Sequence, residues 1–360
     1  MGKNIQVPVL YFLIHLGLIF FMYPRNIIES TDSSHWIPIL IAVVFHFILL
    51  LLYMKGLSYF PGHSVITIFS KAGKVYSLLF LLPLCVYFFM AIVITVRAYS
   101  EVIIIIFLTN TPLWCVMLLL LLLSAYLALL GIRSIFRASM LYALIFIPSI
   151  FVVLVFSLQN VDWYYVLPIW SNDFHFITNP SYFKSFFAVG GGFLFLGFTQ
   201  PALSYRKKDI IIAAVCIAPF FFISVYIPVL TFGQETASTM MFPFAVATDA
   251  VNINWLAFDR ITVFFLLCSI TFLMLFLSMA IFTTAKILNH YVSFIHFQYL
   301  LAFIVILTFI FCLYIPNWSE VEKIFGWNTG LRFYVFFITP LALLFISKKN
   351  GGQLHESKNT

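Results

Sequence analysis

The sequence predicts an all-α polytopic membrane protein with ten transmembrane helices, arranged as a five-plus-five inverted repeat in which helices 1 and 6 are discontinuous. Three observations lead to this fold class. The 360 residues are 63% apolar and only 9% charged, which is too little charge for the surface of a water-soluble domain. The apolar residues form long runs without strand-like alternation, which favours helices over barrel strands. Two of these runs, one in each half of the chain, contain glycine followed by proline.

Ten apolar segments are long enough to cross a bilayer, whose hydrocarbon core requires about 20 residues of helix. We number them span 1 to span 10. Their approximate cores are 6–24, 36–54, 76–100, 112–130, 139–158, 183–204, 210–232, 258–285, 297–315 and 330–347. The two longest connections, 159–182 and 233–257, are expected to fold back on the bundle as short helices.

The charged residues predict that both termini are cytoplasmic. In that topology 13 of the 19 basic residues lie on the inner side, and 10 of the 12 acidic residues lie on the outer side. Because this distribution follows the positive-inside rule, the net charge of +7 implies no nucleic-acid partner. We expect one transmembrane domain over 1–347, with repeat one at about 6–158, repeat two at about 183–347, and a disordered cytoplasmic tail over 348–360.

Span 1 and span 6 occupy equivalent positions, because each is the first span of its half. Since each half contains an odd number of spans, the second half is inverted relative to the first. Span 1 contains IHLGLIFFMYP, with Gly17 and Pro24, and span 6 contains GGGFLFLGFTQP, with Gly192 and Pro201. Matched Gly/Pro interruptions predict the binding site of an inverted-repeat transporter fold. An unwound turn exposes backbone N–H and C=O groups that lipid cannot satisfy and a small polar ligand can. The alternative is that the glycines only permit close helix packing.

Ionisable side chains inside the predicted spans are further candidates for function. His15 lies next to the predicted break in span 1, where it can hydrogen-bond a ligand or carry a proton; the alternative is a neutral histidine bonded to a neighbouring carbonyl. His46 is expected to be structural. Arg97 and Glu101, at i and i+4, are predicted to form a partly buried ion pair that locks span 3.

Other residues suggest structural roles. Asp259 and Arg260, at the start of span 8, are expected to anchor that span at the interface. Hydroxyl groups within span 8 are expected to bond back to their own helix, so no sodium site is predicted. The sequence contains no metal-ligand set, cofactor motif or catalytic constellation. We therefore expect no metal, no cofactor and no enzymatic activity.

Seven sequence elements carry a resemblance to a known family through their order and spacing. They are YFPGHSVITIFSKAGK (59–74), RAYSE (97–101), LTNTPLW (108–114), AYLALLGIRSIFRAS (125–139), LPIW (167–170), FPFAVATDAV (242–251) and DR (259–260). Nearly end to end, the chain resembles the permease-type B subunits of bacterial spore germinant receptors, which belong to the amino acid–polyamine–organocation superfamily.

The resemblance implies a ten-helix permease-like protein of the spore inner membrane, a specialised bacterial cell membrane. It also implies assembly with A-type and C-type receptor subunits and recognition of a small, amino acid-like nutrient that triggers germination. Many relatives carry a Gly-x-Gly-like element in span 1 and a glutamate after the span 6 glycines, so the site predicted in this chain is more apolar. The ligand-binding residues implied are His15, Leu16, Gly17, Gly190, Gly191, Gly192 and Phe193.

Two other functions fit the same sequence. The first is a secondary transporter of amino acids or amines, proton-coupled through His15. The second is a structural membrane subunit without a ligand of its own. The lack of a recognisable ion site tilts the balance mildly away from transport.

Overall fold

The computed structural model describes residues 5–172, 174–251 and 261–356, and within these ranges the chain is helical and contains no strand. The predicted interfacial anchor Asp259-Arg260 and the predicted start of span 8 lie outside the described residues. In chain order the α-helices are α1 (Gln6–Ile19), α2 (Met22–Ile28), α3 (Trp36–Ser58), α4 (Val65–Ala72), α5 (Lys74–Ile106), α6 (Leu113–Leu129), α7 (Ile132–Ser157), α8 (Pro180–Gly190), α9 (Lys207–Phe232), α10 (Gln234–Thr239), α11 (Pro243–Asp249), α12 (Thr262–Tyr291), α13 (Phe297–Tyr314), α14 (Trp318–Phe333) and α15 (Thr339–Glu356).

The described residues contain eight helical segments that are long and apolar enough to cross a membrane, or nine if the bent pair α1–α2 is one span. The protein is therefore a multi-pass, all-helical membrane protein. Each predicted span coincides with a helix or a broken helix. The helix at the position of span 4, α6, has only 17 residues, short of the roughly 20 that a bilayer core requires, so length and composition alone do not give ten crossings.

The connections between spans contain the short helices that the sequence predicts. Two 3₁₀ turns, Trp163–Val166 and His175–Thr178, lie in the first long connection, and α10 and α11 lie in the second. At the other end of the chain, α15 continues to Glu356. The helix thus extends into the segment for which the sequence predicted a disordered tail from residue 348.

The core of the bundle is formed by α1, which packs against α7, α9 and α12. Eleven of its 14 residues are buried, as expected for a helix that is apolar on every side. Gly17 permits the close approach of α12, because a Cβ at this position would lie 3.0 Å from the Cβ of Phe272. The burial of α1 places His15 at the centre of the molecule.

Local sequence fixes where α8 begins. Pro180 is the first helical residue, where its missing N–H carries no penalty. The side chain of Asn179 accepts a hydrogen bond from the backbone N–H of Ser181, which satisfies one of the free donors of the first turn. Span 6 therefore starts at a defined N-terminal cap, and α8 continues from there to the glycine break at its C-terminal end.

Candidate functional site

The break in span 1 lies one turn beyond the position predicted for it. The helix α1 ends at Ile19, α2 begins at Met22, and the two axes differ by 52°. Gly17 is inside α1, so the prediction of a break at Gly17 is wrong. The physical cause is Pro24, which lacks an N–H and whose ring conflicts with the carbonyl four residues earlier, that of Phe20. The chain therefore leaves the helix at Phe20-Phe21.

The break in span 6 occurs at the predicted glycines. The helix α8 ends at Gly190, a turn follows over 191–193, and a 3₁₀ segment runs from Leu194 to Phe198. A side chain at any of the three glycines would collide with a neighbour. The Phe336 ring occupies the position of a Cβ on Gly190, and the carbonyl oxygen of Phe187 lies 2.6 Å from that on Gly191. The backbone of span 6 is thus packed closely on all sides of its break.

The two interrupted spans meet where His15 contacts Gly192. The imidazole of His15 occupies the position that a Cβ on Gly192 would take. Its Nδ1 lies 2.8 Å from the carbonyl oxygen of Tyr11, and since a carbonyl only accepts, Nδ1 carries the proton. Its Nε2 is buried and has no hydrogen-bond partner among the described residues. The carbonyl-bonded histidine considered from the sequence is present, and the backbone of Val189 in α8 is a further polar neighbour of its ring.

A second histidine lies beside the first. The ring centroids of His15 and His46 are 5.1 Å apart, and Nε2 of His46 is hydrogen-bonded to the Tyr11 hydroxyl. The Nδ1 of His46 is buried and has no partner among the described residues. The sequence marked His46 as an intramembrane histidine but did not connect it with His15, because the two lie on different spans.

Aromatic side chains fill the rest of the space around the break in span 6. Phe193 is fully buried, and its ring packs 5.4 Å from that of Tyr53 and 5.7 Å from that of Phe336. The Tyr53 hydroxyl donates to the carbonyl oxygen of Leu194 at 2.9 Å. Tyr53 therefore supplies a hydrogen-bond donor to backbone just beyond the turn.

The break in span 1 is supported in the same way by α5. The Tyr99 hydroxyl donates to the carbonyl oxygen of Gly17, whose usual helical partner would be the N–H of Phe21. A small cavity of about 10 Å³ lies at this break, close to the volume that one water requires. Leu16 is buried within α1. In this conformation the predicted ligand residues are packed against neighbouring side chains and do not line an open pocket.

A much larger cavity lies away from the breaks. It has a volume of about 1090 Å³ and lies between α1, α7 and α9. Its walls are apolar and include Phe12, Phe151 and Phe220, with Arg206 and Asp209 at one end. These walls do not include His15, Gly192 or the turn over 191–193.

The ion pair predicted in span 3 is present. Arg97 Nη1 lies 2.5 Å from Glu101 Oε1, and Arg97 Nε donates to the carbonyl oxygen of Ile315 at 3.2 Å. Because Ile315 follows α13, the pair tethers α5 to a neighbouring span. A similar network joins α2 to α14, where Arg25 lies 2.5 Å from Glu29 and 2.9 Å from Glu322.

Arg332 is a functional candidate that the sequence reasoning missed. It is fully buried, although the sequence suggested only a basic residue near a span end. Its Nη1 donates to the carbonyl oxygen of Lys184 at 3.0 Å, and its guanidinium lies over the rings of Phe187 and Phe325. Within the described residues no carboxylate pairs with it. Its position inside the predicted core of span 10 could have identified it, because a charged residue within a span is a candidate for function.

Comparisons with known proteins identify the family of this chain. The sequence model of the family described as spore germination protein matches residues 3–320. The chain belongs to the spore germination protein family. A curated relative, spore germination protein B2 of Bacillus subtilis (strain 168), is 24% identical over 248 residues. That alignment spans 67% of this chain and 66% of the relative, just under two thirds of its length.

A solved structure shares the fold of this spore germination family member. It is a substrate-bound, outward-open Na⁺-coupled sialic acid symporter, with a TM-score of 0.62 and 13% identity. The match covers 94% of this chain and 79% of the symporter. At this identity the likeness concerns the fold alone, and it shows that a transporter-like helical architecture extends over nearly the whole chain.

The polar groups at the breaks are hydrogen-bonding groups of the kind that can bind a small ligand. This spore germination family member places an imidazole nitrogen without a partner among the described residues against a glycine turn in the core. A tyrosine-bonded carbonyl lies separately, near the break in span 1. A buried polar atom without a partner is unfavourable, and a small polar ligand would satisfy it. Of the predicted ligand residues, the structure brings His15 against Gly192. Gly17 packs instead against Phe272 of α12.

Proposed function

We propose that this protein is the membrane subunit of a spore nutrient-germinant receptor, which binds a small, amino acid-like nutrient near mid-membrane and helps to trigger germination. The contact between His15 and Gly192 carries the proposal. This contact joins two broken spans, the arrangement in which helix-break transporters bind their ligands. Membership of the spore germination protein family supports the physiological role.

Ligand binding at this point requires a conformational change. The His15 ring occupies the space beside Gly192, so a nutrient that hydrogen-bonds Nε2 must bind a conformer in which this ring has rotated away. A ligand shifts an equilibrium only by its differential affinity for the two conformers. The proposed signal is therefore the separation of α1 from the turn over 191–193, passed to partner subunits by the movement of α2 and α8.

The proposal includes the finer architecture expected from the sequence. It comprises ten spans in a five-plus-five inverted repeat, with α6 as the short fourth span, and both termini in the cytoplasm. Its location is the spore inner membrane, and its partners are A-type and C-type receptor subunits. The supporting observations are the family match, the transporter-like fold, and the distribution of basic residues along the chain.

One observation favours a second function, proton-coupled transport of amino acids or amines. His15 and His46 lie 5.1 Å apart, and each has a buried nitrogen without a partner among the described residues. Adjacent histidines in a membrane core are typical of proton pathways. In this alternative the same ligand position is alternately exposed to the two sides of the membrane.

The test uses spores in which the gene is deleted or replaced. Wild-type spores should respond to at least one member of a panel of L-amino acids, measured as release of dipicolinic acid, and deletion should abolish that response. Gly192→Ala should abolish it too, because the added Cβ collides with His15. Gly330→Ala is the matched control, since a Cβ there has no neighbour within 4 Å, and it should respond normally.

Two results would reject the receptor proposal. The first is an unchanged response of the deletion strain to every amino acid of the panel. The second is uptake of an amino acid driven by a pH gradient in proteoliposomes that contain only this chain, if His15→Ala abolishes the uptake and the deletion leaves germination unaffected. The second result would select the transporter.

A further inference from the structure

The charge of Arg332 has no counter-ion within the described structure. An arginine stays protonated even in a membrane core, so its burial is unfavourable unless strong partners surround it. Its terminal nitrogens donate to the carbonyl oxygens of Lys184 at 3.0 Å and of Phe183 and Phe325 at 3.4 Å each. Its Nε has no partner among the described residues. Carbonyl dipoles and ring faces therefore solvate the cation without neutralising it.

Asn328 lies one turn before Arg332 on the same face of α14. Its side chain is buried, and neither Oδ1 nor Nδ2 has a hydrogen-bond partner within the described chain. A buried amide side chain rarely leaves both its oxygen and its nitrogen without a hydrogen-bond partner. The guanidinium of Arg332 reaches back along α14 to the carbonyl of Phe325, and so passes the turn that carries Asn328.

Tyr87 brings a third unpaired group from α5. Its hydroxyl is buried and has no partner among the described residues, and it is an electrostatic neighbour of Arg332. It lies 3.4 Å from the position of a Cβ on Gly191. Arg332 lies over the ring of Phe187 and donates to carbonyls one turn earlier in α8, so Arg332 and Tyr87 both lie against the C-terminal half of α8 and the residue that follows it.

We propose that Arg332, Asn328 and Tyr87 form a carboxylate-binding site between α5, α8 and α14. The three groups offer a guanidinium N–H, an amide N–H and a phenol O–H, and a carboxylate can accept from all of them while it neutralises the cation. The neighbouring end of α8 presents helix C-terminal carbonyls, which favour a positive charge. The ligand class is thus a small zwitterionic amino acid rather than a dicarboxylate.

This inference rests on the proposed function, because it assigns the carboxylate to the nutrient. It also extends the ligand position beyond the residues expected from the sequence, from the His15–Gly192 contact to Tyr87 beside Gly191 and to Arg332 along α8. Since all three groups are buried in this structure, the ligand enters when α8 moves away from α14. A purely structural role for Arg332 would need its three carbonyl partners alone and would leave Asn328 and Tyr87 unexplained.

The experiment compares each amino acid of a germination panel with its amide, for example L-alanine with L-alaninamide and L-valine with L-valinamide. The amide keeps the side chain and the ammonium and loses the carboxylate charge. Wild-type spores should need a concentration of the amide at least about tenfold higher for the half-maximal rate, as expected for loss of a charged hydrogen-bonded pair. We define the acid-to-amide ratio as the half-maximal concentration of the amide divided by that of the acid. Arg332→Gln should reduce this ratio to near one.

Two milder variants keep the test decisive if Arg332→Gln fails to accumulate. Tyr87→Phe preserves ring packing against Phe336, and Asn328→Leu preserves approximate volume; each should lower the acid-to-amide ratio by about three- to tenfold. Tyr334→Phe is the matched control, because its hydroxyl is exposed and bonded to the Leu79 carbonyl. It should leave the ratio unchanged.

The outcomes separate the two proposals. Equal potency of acid and amide in wild-type spores overturns the carboxylate site and leaves the receptor role standing. An unchanged ratio in both Tyr87→Phe and Asn328→Leu, with normal membrane abundance by immunoblot, overturns it as well. An unchanged response of the deletion strain to every amino acid of the panel rejects the receptor role itself.

Discussion

The two helix breaks are built from different residues. Span 6 separates at Gly190–Gly192, where neighbouring groups occupy every position that a side chain would take. Span 1 separates at Phe20-Phe21, which carry two large side chains, and the cause is Pro24 further along the chain. One break thus depends on absent side chains, and the other on an absent N–H. Substitutions that are harmless at one break should therefore be harmful at the other.

The largest effect is expected at the ion pair Arg97–Glu101, which tethers α5 to the end of α13. Arg97→Ala leaves the partly buried Glu101 without its cation, and Glu101→Ala leaves the buried Arg97 with only the Ile315 carbonyl as a partner. Loss of one member of a buried pair typically destabilises by about 3–5 kcal/mol, and we expect both variants to lower membrane abundance on immunoblots. Lys323→Ala, which breaks an exposed pair with Glu320, should have almost no effect. Normal abundance of Arg97→Ala without nutrient response would instead make the pair functional.

The next effect tests the contact between the breaks. Gly192→Ala forces a Cβ into the His15 ring, and overpacking of this kind typically destabilises by about 1–3 kcal/mol. His15→Ala should relieve the conflict, so the double variant should be more stable than Gly192→Ala alone by about 1 kcal/mol or more. The measurement is thermal unfolding of the purified chain in detergent. Additive effects of the two substitutions would mean that the contact is absent.

A third variant tests the proline-dependent break. Pro24→Ala restores a hydrogen-bond donor toward the Phe20 carbonyl, and in a helix interior proline is disfavoured by about 3 kcal/mol relative to alanine. Span 1 should straighten, and the nutrient response should fall at least about tenfold in potency, because the angle between α1 and α2 is lost. Spin labels on the two helices would report the angle.

Pro83→Ala provides the control for this variant. Pro83 lies inside α5, which continues through it as one helix, so its replacement should leave the response intact. A normal response of Pro24→Ala with a straightened span 1 would show that the bend has no role in signalling.

The smallest effect is expected from Tyr99→Phe. The variant keeps the ring and removes the donor to the Gly17 carbonyl, which should destabilise by about 0.5–1.5 kcal/mol. We expect a lower unfolding temperature and a modest rise in the nutrient concentration needed for half-maximal germination. An unfolding temperature equal to that of the wild type would indicate that water satisfies this carbonyl equally well.

Local patterns account for most of what the sequence could predict. Apolar runs located the helices that are long enough to cross a membrane, the glycine run located the break in span 6, and the i, i+4 spacing located the pair Arg97–Glu101. The break in span 1 was assigned to Gly17 because glycine was given more weight than the steric reach of Pro24 toward Phe20.

The remaining features depend on distant parts of the chain. Contact of His15 with Gly192, the bond from Tyr11 to His46 and the carbonyl partners of Arg332 each join separate helices, and hydropathy contains no information on such pairings. A prediction that Arg332 is buried would also have required knowledge of which carbonyls of α8 face α14. Sequence reasoning could flag an arginine inside a predicted span, but not its lack of a counter-ion.

The central claim is that the two breaks form one ligand site, and it is tested most directly by a structure of the receptor complex with a germination-active L-amino acid bound. We predict ligand density between α1 and the turn over 191–193, within hydrogen-bond distance of His15 Nε2, with the imidazole displaced from Gly192. Density in the apolar cavity between α1, α7 and α9, with His15 still against Gly192, would contradict it.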